Sequence, residues 1–437
     1  MDDSTDHRTY APADSTDSTG PEGPTGPAGP AAHRHLPEPA DDPAGDGLDG
    51  DALDGFLAVR DFEPAARHVL DPVHHDYFAG GAHDEVTLRA NESAFAALRL
   101  VPRVLRGRGR AELRTRVLGH ETAMPVLIAP TAFHRLAHPD AERATARAAA
   151  AAGVILIAAM MSTVAVEEIA AEARKTDDRA RLWFQLYIQR DMGFTKAVVE
   201  RARDAGCTAL VVTADSPALG RHARNDRNGF HDLPPGMRCE NLRALRGNEP
   251  GHVRQLDMSP ELSWDHLAQL RAMTDLPIVL KGVLHPEDAR IAARAGVDGL
   301  IVSNHGGRQL DTAPATVAQL PRIVEALGGD RVPVLLDGGV RRGTDAAKAL
   351  ALGADAVAVG RPVVWGLAAR GQAGVARVLE ILRDELAHTL TLAGCAHPSE
   401  LTPDMVLDSA GSHRWAGSQR WADSHRWAGS RQEAGAC

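Results

Sequence analysis

Eight short apolar runs, most of them rich in Val and Ile, recur between Pro125 and Gly360 and are separated by stretches with helical spacing. They read PVLIAP from Pro125, VILIA from Val154, LWFQLY from Leu182, ALVVTA from Ala209, PIVLKG from Pro277, GLIVS from Gly299, PVLLDG from Pro333 and AVAVG from Ala356. Segments such as AERATARAAAAAG and FTKAVVERARDAG lie between them and end at Gly, as a helix C-terminus often does. A run apolar at every position is the mark of a parallel strand buried on both faces, and alternation with helices makes βα units. Eight such units predict an α/β fold, a (β/α)8 TIM barrel, over the alternative of an open doubly wound sheet.

The chain of 437 residues has room for one large domain or two modest ones, and its 44% hydrophobic content suits a packed core. Its formal charge of -10 is concentrated at one end, because residues 1–50 hold eleven Asp and Glu against two Arg. The remainder is close to neutral, which argues against a nucleic-acid partner. No apolar run is long enough to span a bilayer and the N-terminus lacks a signal-peptide pattern, so no membrane partner and a cytoplasmic location are expected. Cys207, Cys239, Cys395 and Cys437 have neither metal-ligand spacing nor the density of a disulfide framework, and are expected to be reduced structural thiols, with no metal.

Composition divides the chain into a disordered acidic Pro/Gly-rich tail at 1–55, a barrel domain at 56–405 and a low-complexity tail at 406–437. The last of these repeats Arg-Trp-Ala every six residues, placing Trp415, Trp421 and Trp427 outside any evident core. It is either a sticky peptide or a functionless extension, and chain ends favour the second.

In a (β/α)8 barrel the chemistry collects where strands end, so the polar residues just after each apolar run are the candidates. In order these are Thr131, then Gln185 and Tyr187, then Thr213 and Asp215, then Lys281. The sixth run is followed by Ser303, Asn304, His305 and Arg308, the seventh by Asp337, Gly338, Gly339 and Arg341, and the eighth by Gly360 and Arg361. DGGVRRG and GRP combine small residues with cations at the two strand ends where this fold usually holds phosphate. Lys281, expected inside the barrel mouth, requires an anionic neighbour there. It is either the partner of a reduced cofactor or, in a phosphate-sugar aldolase, a Schiff-base nucleophile. His305 and Arg308 lie three residues apart on one loop, where an imidazole can take a proton and a guanidinium can orient a carboxylate. His74, His75, His134 and His138 lack such company and are expected to be structural.

Eight collinear blocks, among them APTAFHRLAHPDAERATARAA, LVVTADSPALGRHARNDRNGF, IVSNHGGRQLD and PVLLDGGVRRGTDAAKALALGADAVAVGRPVVW, resemble the FMN-dependent 2-hydroxy-acid oxidase and dehydrogenase family over roughly residues 58–400. That resemblance implies FMN as cofactor, a small 2-hydroxy acid as substrate, oxygen or another electron acceptor, and removal of a hydride from the α-carbon. It implies His305 as base, Asp215 as stabiliser of the resulting imidazolium, and Tyr187 as partner of the substrate hydroxyl. Arg308 and Tyr77 would bind the substrate carboxylate, and Lys281 would sit near the flavin N1 and C2 carbonyl. Pro130, Thr131, Ala132, Gln185, Thr213 and Ser303 would line the flavin, with Asp337, Gly339, Arg341, Gly360 and Arg361 around its ribityl and phosphate groups. Family members are often homotetramers. Hydride transfer and initial α-proton abstraction both fit this residue set.

Two positions depart from the family pattern. His222 stands where a second active-site Arg is usual, so a fixed charge in the substrate site becomes one that titrates. Ala159 replaces a common flavin-contacting Ser, with Met161 in place of a common aromatic. RNGF and MMST are similar to the bacterial mandelate-type branch, which implies an aryl substrate such as 4-hydroxymandelate. The alternatives are a family enzyme that uses another acceptor or oxidises a nitrogen-bearing carbon in a tailoring pathway, and, given His222 and the Arg-Trp repeats, a catalytically weakened flavin-binding module. Residues 233–261 correspond to a connection that often forms a lid in the family.

Overall fold

The computed structural model describes residues 53–243, 256–329 and 331–408. Most of both tails, including the Arg-Trp repeats, and the centre of the 233–261 connection lie outside the described residues.

All eight apolar runs are strands: β1 (Val126–Ile128), β2 (Leu156–Ala158), β3 (Leu182–Leu186), β4 (Leu210–Thr213), β5 (Ile278–Val283), β6 (Gly299–Val302), β7 (Val334–Asp337) and β8 (Ala356–Val359). They pair in parallel, each with the next, and β8 closes on β1 through Val357↔Val126 and Val359↔Ile128. The result is a closed barrel rather than an open sheet.

The two-residue period of a strand explains why these runs are apolar on both of their faces, with polar residues confined to their ends. Leu127, Ile155, Ile157, Trp183, Val211, Val279, Ile301 and Leu335 form one cluster filling the barrel interior. Their strand neighbours Ile128, Leu156, Phe184, Leu210 and Val212 belong to a larger cluster packed under the helices. A short hairpin, Thr115–Val117 with His120–Thr122, adds Val117 and Leu118 to the interior cluster and plugs the end opposite the candidate residues.

Three helices precede the barrel: α1 (Phe62–Val69), α2 (Pro72–Ala79) and α3 (Val86–Ala97). In α2, Asp71 caps the helix by accepting from Val73 N, and Pro72 opens its first turn, where a missing N–H costs nothing. The helices after the successive strands are α4 (Ala141–Ala151), α5 (Val166–Thr176) and α6 (Met192–Asp204), then α7 (Ala223–Asn228) and α8 (Trp264–Arg271), both after β4. They continue with α9 (Pro286–Arg294), α10 (Thr316–Leu327), α11 (Gly343–Ala351) and α12 (Arg361–Ala393). After α12, Val406–Leu407 pairs antiparallel with Arg99–Leu100. The folded unit therefore includes two residues beyond position 405. No helix among the described residues is long and apolar enough to cross a membrane.

Candidate active site

Just beyond β4, Asp215 faces the loop that follows β6. His305 opens that loop in the left-handed backbone region, with φ of 58°, which is uncommon for a residue bearing a β-carbon. Its Nδ1 lies 3.0 Å from Asp215 Oδ1. Burial alone would raise the Asp215 carboxyl, but His305 and Lys281 outweigh it and hold the group below its ordinary range. An ionised carboxylate can only accept, so Nδ1 carries a proton, and in the neutral ring the lone pair is then on Nε2. Tyr187 places its hydroxyl 3.5 Å from that Nε2.

Arg308 reaches back to the N-terminal helices. Its Nη1 donates to the carbonyls of Tyr77 and Gly80, both at 2.8 Å, and its guanidinium carbon lies 5.1 Å from the centre of the Tyr77 ring. Burial pushes the Tyr77 phenol up to about 12, so it stays protonated. Phe133 stacks on Tyr77 at 5.4 Å between ring centres, and Phe230 stands 5.2 Å from it on another side. Phe133, like His305, has a left-handed backbone, with φ of 64°.

His222 lies beside this group without supplying the titrating charge expected of it. Its ring nitrogen Nε2 is 2.9 Å from the Arg308 carbonyl, to which it must donate. Burial, and then the nearby Arg308 charge, push its pKa from 6.5 to about 4, so the ring is neutral at neutral pH.

The strand ends of β7, β8 and β5 form a second group. Arg361 is half-buried, and it donates to the carbonyls of Phe78, Gly80 and Gly306 at 2.8, 2.8 and 2.9 Å. Burial, with Arg308 and Arg341 nearby, pushes its pKa down to about 9. Lys281 Nζ and Asp337 Oδ2 are 3.5 Å apart, and the two side chains are 4% and 8% exposed. Asp337 Oδ1 is buried without a hydrogen-bond partner. Gly339 takes φ of 92° between Asp337 and Arg341, whose guanidinium pairs with Glu92 at 2.8 Å.

A family model described as FMN-dependent dehydrogenase matches residues 66–408. The chain belongs to that family. The chain is 45% identical over 359 residues to an L-lactate oxidase of Nostoc sp., an alignment covering 80% of this chain and 98% of that one. It is 44% identical over 354 residues to the glycolate oxidase of Spinacia oleracea, covering 79% and 94%. A crystal structure of mandelate oxidase with benzoyl-formic acid superposes with a TM-score of 0.73 at 43% identity, covering 79% of this chain and 96% of that one. The aldolase reading of Lys281 is thereby overturned. The lysine sits in a flavoenzyme and is ion-paired with Asp337.

FMN is the cofactor of this enzyme, and the residues present suit it. Arg361 is a desolvated guanidinium with no ion pair to a carboxylate among the described residues, near two further guanidinia, a setting that favours a phosphate. The orphaned Asp337 Oδ1 beside Lys281 is an acceptor for a hydroxyl such as a ribityl chain carries. Facing them, Gln185 is held by donating to Thr213 Oγ1 at 3.1 Å and accepting from Met160 N at 3.1 Å. Ser303 Oγ accepts from His305 N at 3.1 Å. Thr131, between half-buried Pro130 and Ala132, follows β1, and Gly360 follows β8 and precedes α12.

At Ala159, where the family often has Ser, the hydroxyl of Ser162 donates to the Ala159 carbonyl at 2.7 Å. Met161 lies half-buried, with its carbonyl accepting from Phe133 N at 3.3 Å.

Two supports of the site escaped the reading of strand ends. His134 is fully buried, with Nε2 hydrogen-bonded to Thr131 Oγ1 at 2.5 Å and Nδ1 to Thr145 Oγ1 at 3.0 Å. It therefore orients a candidate flavin contact instead of merely filling space. Asn91 of α3 exchanges two hydrogen bonds with Asn304, at 2.7 and 2.9 Å, and so ties α3 to the His305 loop. The three-residue separation of Thr131 and His134 after β1 is a local signal that could have marked the first, which was expected to be only structural, whereas nothing local marks the second, 213 residues from its partner.

Proposed function

We propose that this enzyme oxidises an aryl-substituted 2-hydroxy acid, of which 4-hydroxymandelate is the type, to the 2-oxo acid, with oxygen as electron acceptor. The observation that carries the reading is the His305–Asp215 pair, with His305 Nε2 facing the Tyr187 hydroxyl and Arg308 on the same loop. Bound FMN supplies the two-electron oxidant. His305 Nε2 takes the hydroxyl proton as the α-hydrogen leaves with its electron pair, and a carbonyl forms at the α-carbon. A base placed in this way contributes roughly 10²–10⁴ in rate. Asp215 keeps the imidazole in the useful tautomer and stabilises its charged form. Arg308, with its plane fixed by two backbone carbonyls, holds the substrate carboxylate together with Tyr77, and the Tyr187 hydroxyl donates to the reacting oxygen. His222 adds a neutral hydrogen-bonding ring to this site.

For the cofactor, Arg361 and Arg341 would take the phosphate, Asp337 and Gly339 the ribityl chain, and Lys281 the N1 side of the ring. Pro130, Thr131, Ala132, Gln185, Thr213, Ser303 and Gly360 would complete its surroundings. The aryl preference is supported by the Tyr77, Phe133 and Phe230 rings, since aromatic side chains favour offset or edge-on contacts with a further ring. It is also supported by the likeness to mandelate oxidase. The reading includes a cytoplasmic location, expected from the sequence, and a homotetramer, the arrangement common among family members.

Anaerobic titration of the yellow holoenzyme with mandelate, lactate and glycolate tests this function. Bleaching of the visible flavin band at the lowest concentration by mandelate is expected, with colour restored by oxygen. A flavin that none of the three acids reduces would sink the reading in favour of a binding module. A flavin left reduced in oxygen would remove oxygen as acceptor.

A further inference from the structure

The connection after β4 carries Asp215 at its start and Phe230 further along, with α7 between them. Helix α7 has six residues and buries none of them. An isolated helix below ~12–15 residues is marginal in water, and no apolar face anchors this one. It is held by polar ties to the N-terminal segment. Arg224 Nη2 donates to Glu85 Oε2 at 2.7 Å, and its Nη1 donates to Asp76 Oδ1 at 3.3 Å. Asn228 Nδ2 donates to the second Asp76 oxygen at 2.9 Å, and the Arg221 carbonyl accepts from His83 N at 3.0 Å.

The far end of this clamp is close to the substrate groups. Asp76 precedes Tyr77 in α2. Glu85 also accepts from Gly81 N at 3.1 Å, and the adjacent Gly80 carbonyl receives both Arg308 and Arg361. Burial would raise the Glu85 carboxyl, but the hydrogen bonds from Arg224 and Gly81 N, with the Arg224 charge, hold it below its ordinary range. One guanidinium thus joins the loop bearing His222 and Phe230 to the backbone on which Arg308 is hung.

We propose that Arg224 is a positioning residue for substrate: by clamping α7 to Asp76 and Glu85 it sets Phe230 and His222 against Tyr77 and Arg308. This rests on the reading of Tyr77, Phe230 and Arg308 as the substrate site. Arg224 itself touches no reacting atom. Its side chain is 34% exposed, so added salt weakens the clamp by partial screening.

The test uses FMN-loaded wild type, Arg224→Ala, Arg224→Lys and, as a control on the exposed face of the same helix, Arg227→Ala. Hydrogen exchange of residues 216–230 is followed without substrate, and KM and kcat are measured for mandelate. Arg224→Ala should exchange faster across that segment and show a roughly tenfold higher KM, with kcat changed less than about twofold and flavin content and Tm retained. Arg224→Lys should fall between it and wild type, and Arg227→Ala should match wild type. Unchanged exchange and KM in Arg224→Ala would overturn the proposal. So would a loss of flavin or Tm in Arg224→Lys, which would mark a general structural role. If wild type does not oxidise mandelate, the substrate reading fails while the exchange measurement still judges the clamp.

Discussion

Gly282 passes so close to Asp215 that a β-carbon on Gly282 would stand 2.6 Å from the Asp215 β-carbon. The glycine takes φ of 107° at an irregularity in the β5–β6 pairing, between Lys281 and Val283. Such irregularities re-aim side chains next to active sites. Here the bulge lets one strand carry Lys281 to Asp337 and still leave room for the carboxylate that holds His305. Gly282→Ala is expected to displace Asp215 and lower the rate of flavin reduction, approaching the roughly 10²-fold or greater loss expected of Asp215→Asn. Stopped-flow reduction checks this, and a rate equal to wild type would show that the close approach is unimportant.

His222 contributes a pH dependence of stability with a definite sign. Its folded pKa of about 4 lies below the ordinary 6.5, so between these values the unfolded chain binds a proton that the folded chain does not. Stability therefore falls as pH falls through that window. His222→Asn should show a smaller drop in Tm between pH 6.5 and pH 4 than wild type, measured by scanning calorimetry. His222→Arg, in turn, should raise turnover on an ordinary 2-hydroxy acid if the histidine is a simple loss, whereas a fall would mark it as adapted to a particular substrate.

Arg361 should act on cofactor affinity more than on the apoprotein. Hydrogen bonds to a charged partner contribute about 1.5–3 kcal/mol, so Arg361→Met is expected to weaken FMN binding by roughly one to two orders of magnitude. The rise in Tm on adding FMN to apoprotein should shrink accordingly. An undiminished rise would place the phosphate elsewhere.

Phe230 provides the test of the aryl preference. Aromatic contacts contribute about 0.5–1.5 kcal/mol beyond the area they bury, so Phe230→Ala should raise KM for mandelate several-fold and leave that for glycolate nearly unchanged. Equal effects on the two acids would remove Phe230 from the substrate pocket.

The barrel was legible because each of its strands is buried on both faces. That burial makes the runs at Val126–Ile128 and Ala356–Val359 apolar throughout, and a polar residue immediately after such a run stands out as Asp215, Lys281, His305 and Asp337 do. His222 was legible as a departure in identity and misleading in charge. Its neutrality comes from burial beside Arg308, which no local pattern encodes.

The sequence by itself determined the fold class, the family and the cofactor, because period, strand-end chemistry and collinear motifs are written along the chain. Only the tertiary structure decided which distant groups support the site: Asn91 on Asn304, Gly282 beneath Asp215, and Arg224 between Asp76 and Glu85. These contacts join residues far apart in the chain through hydrogen bonds and close approach. Side chains of ordinary polarity acquire such roles only when folding brings their partners within about 3 Å.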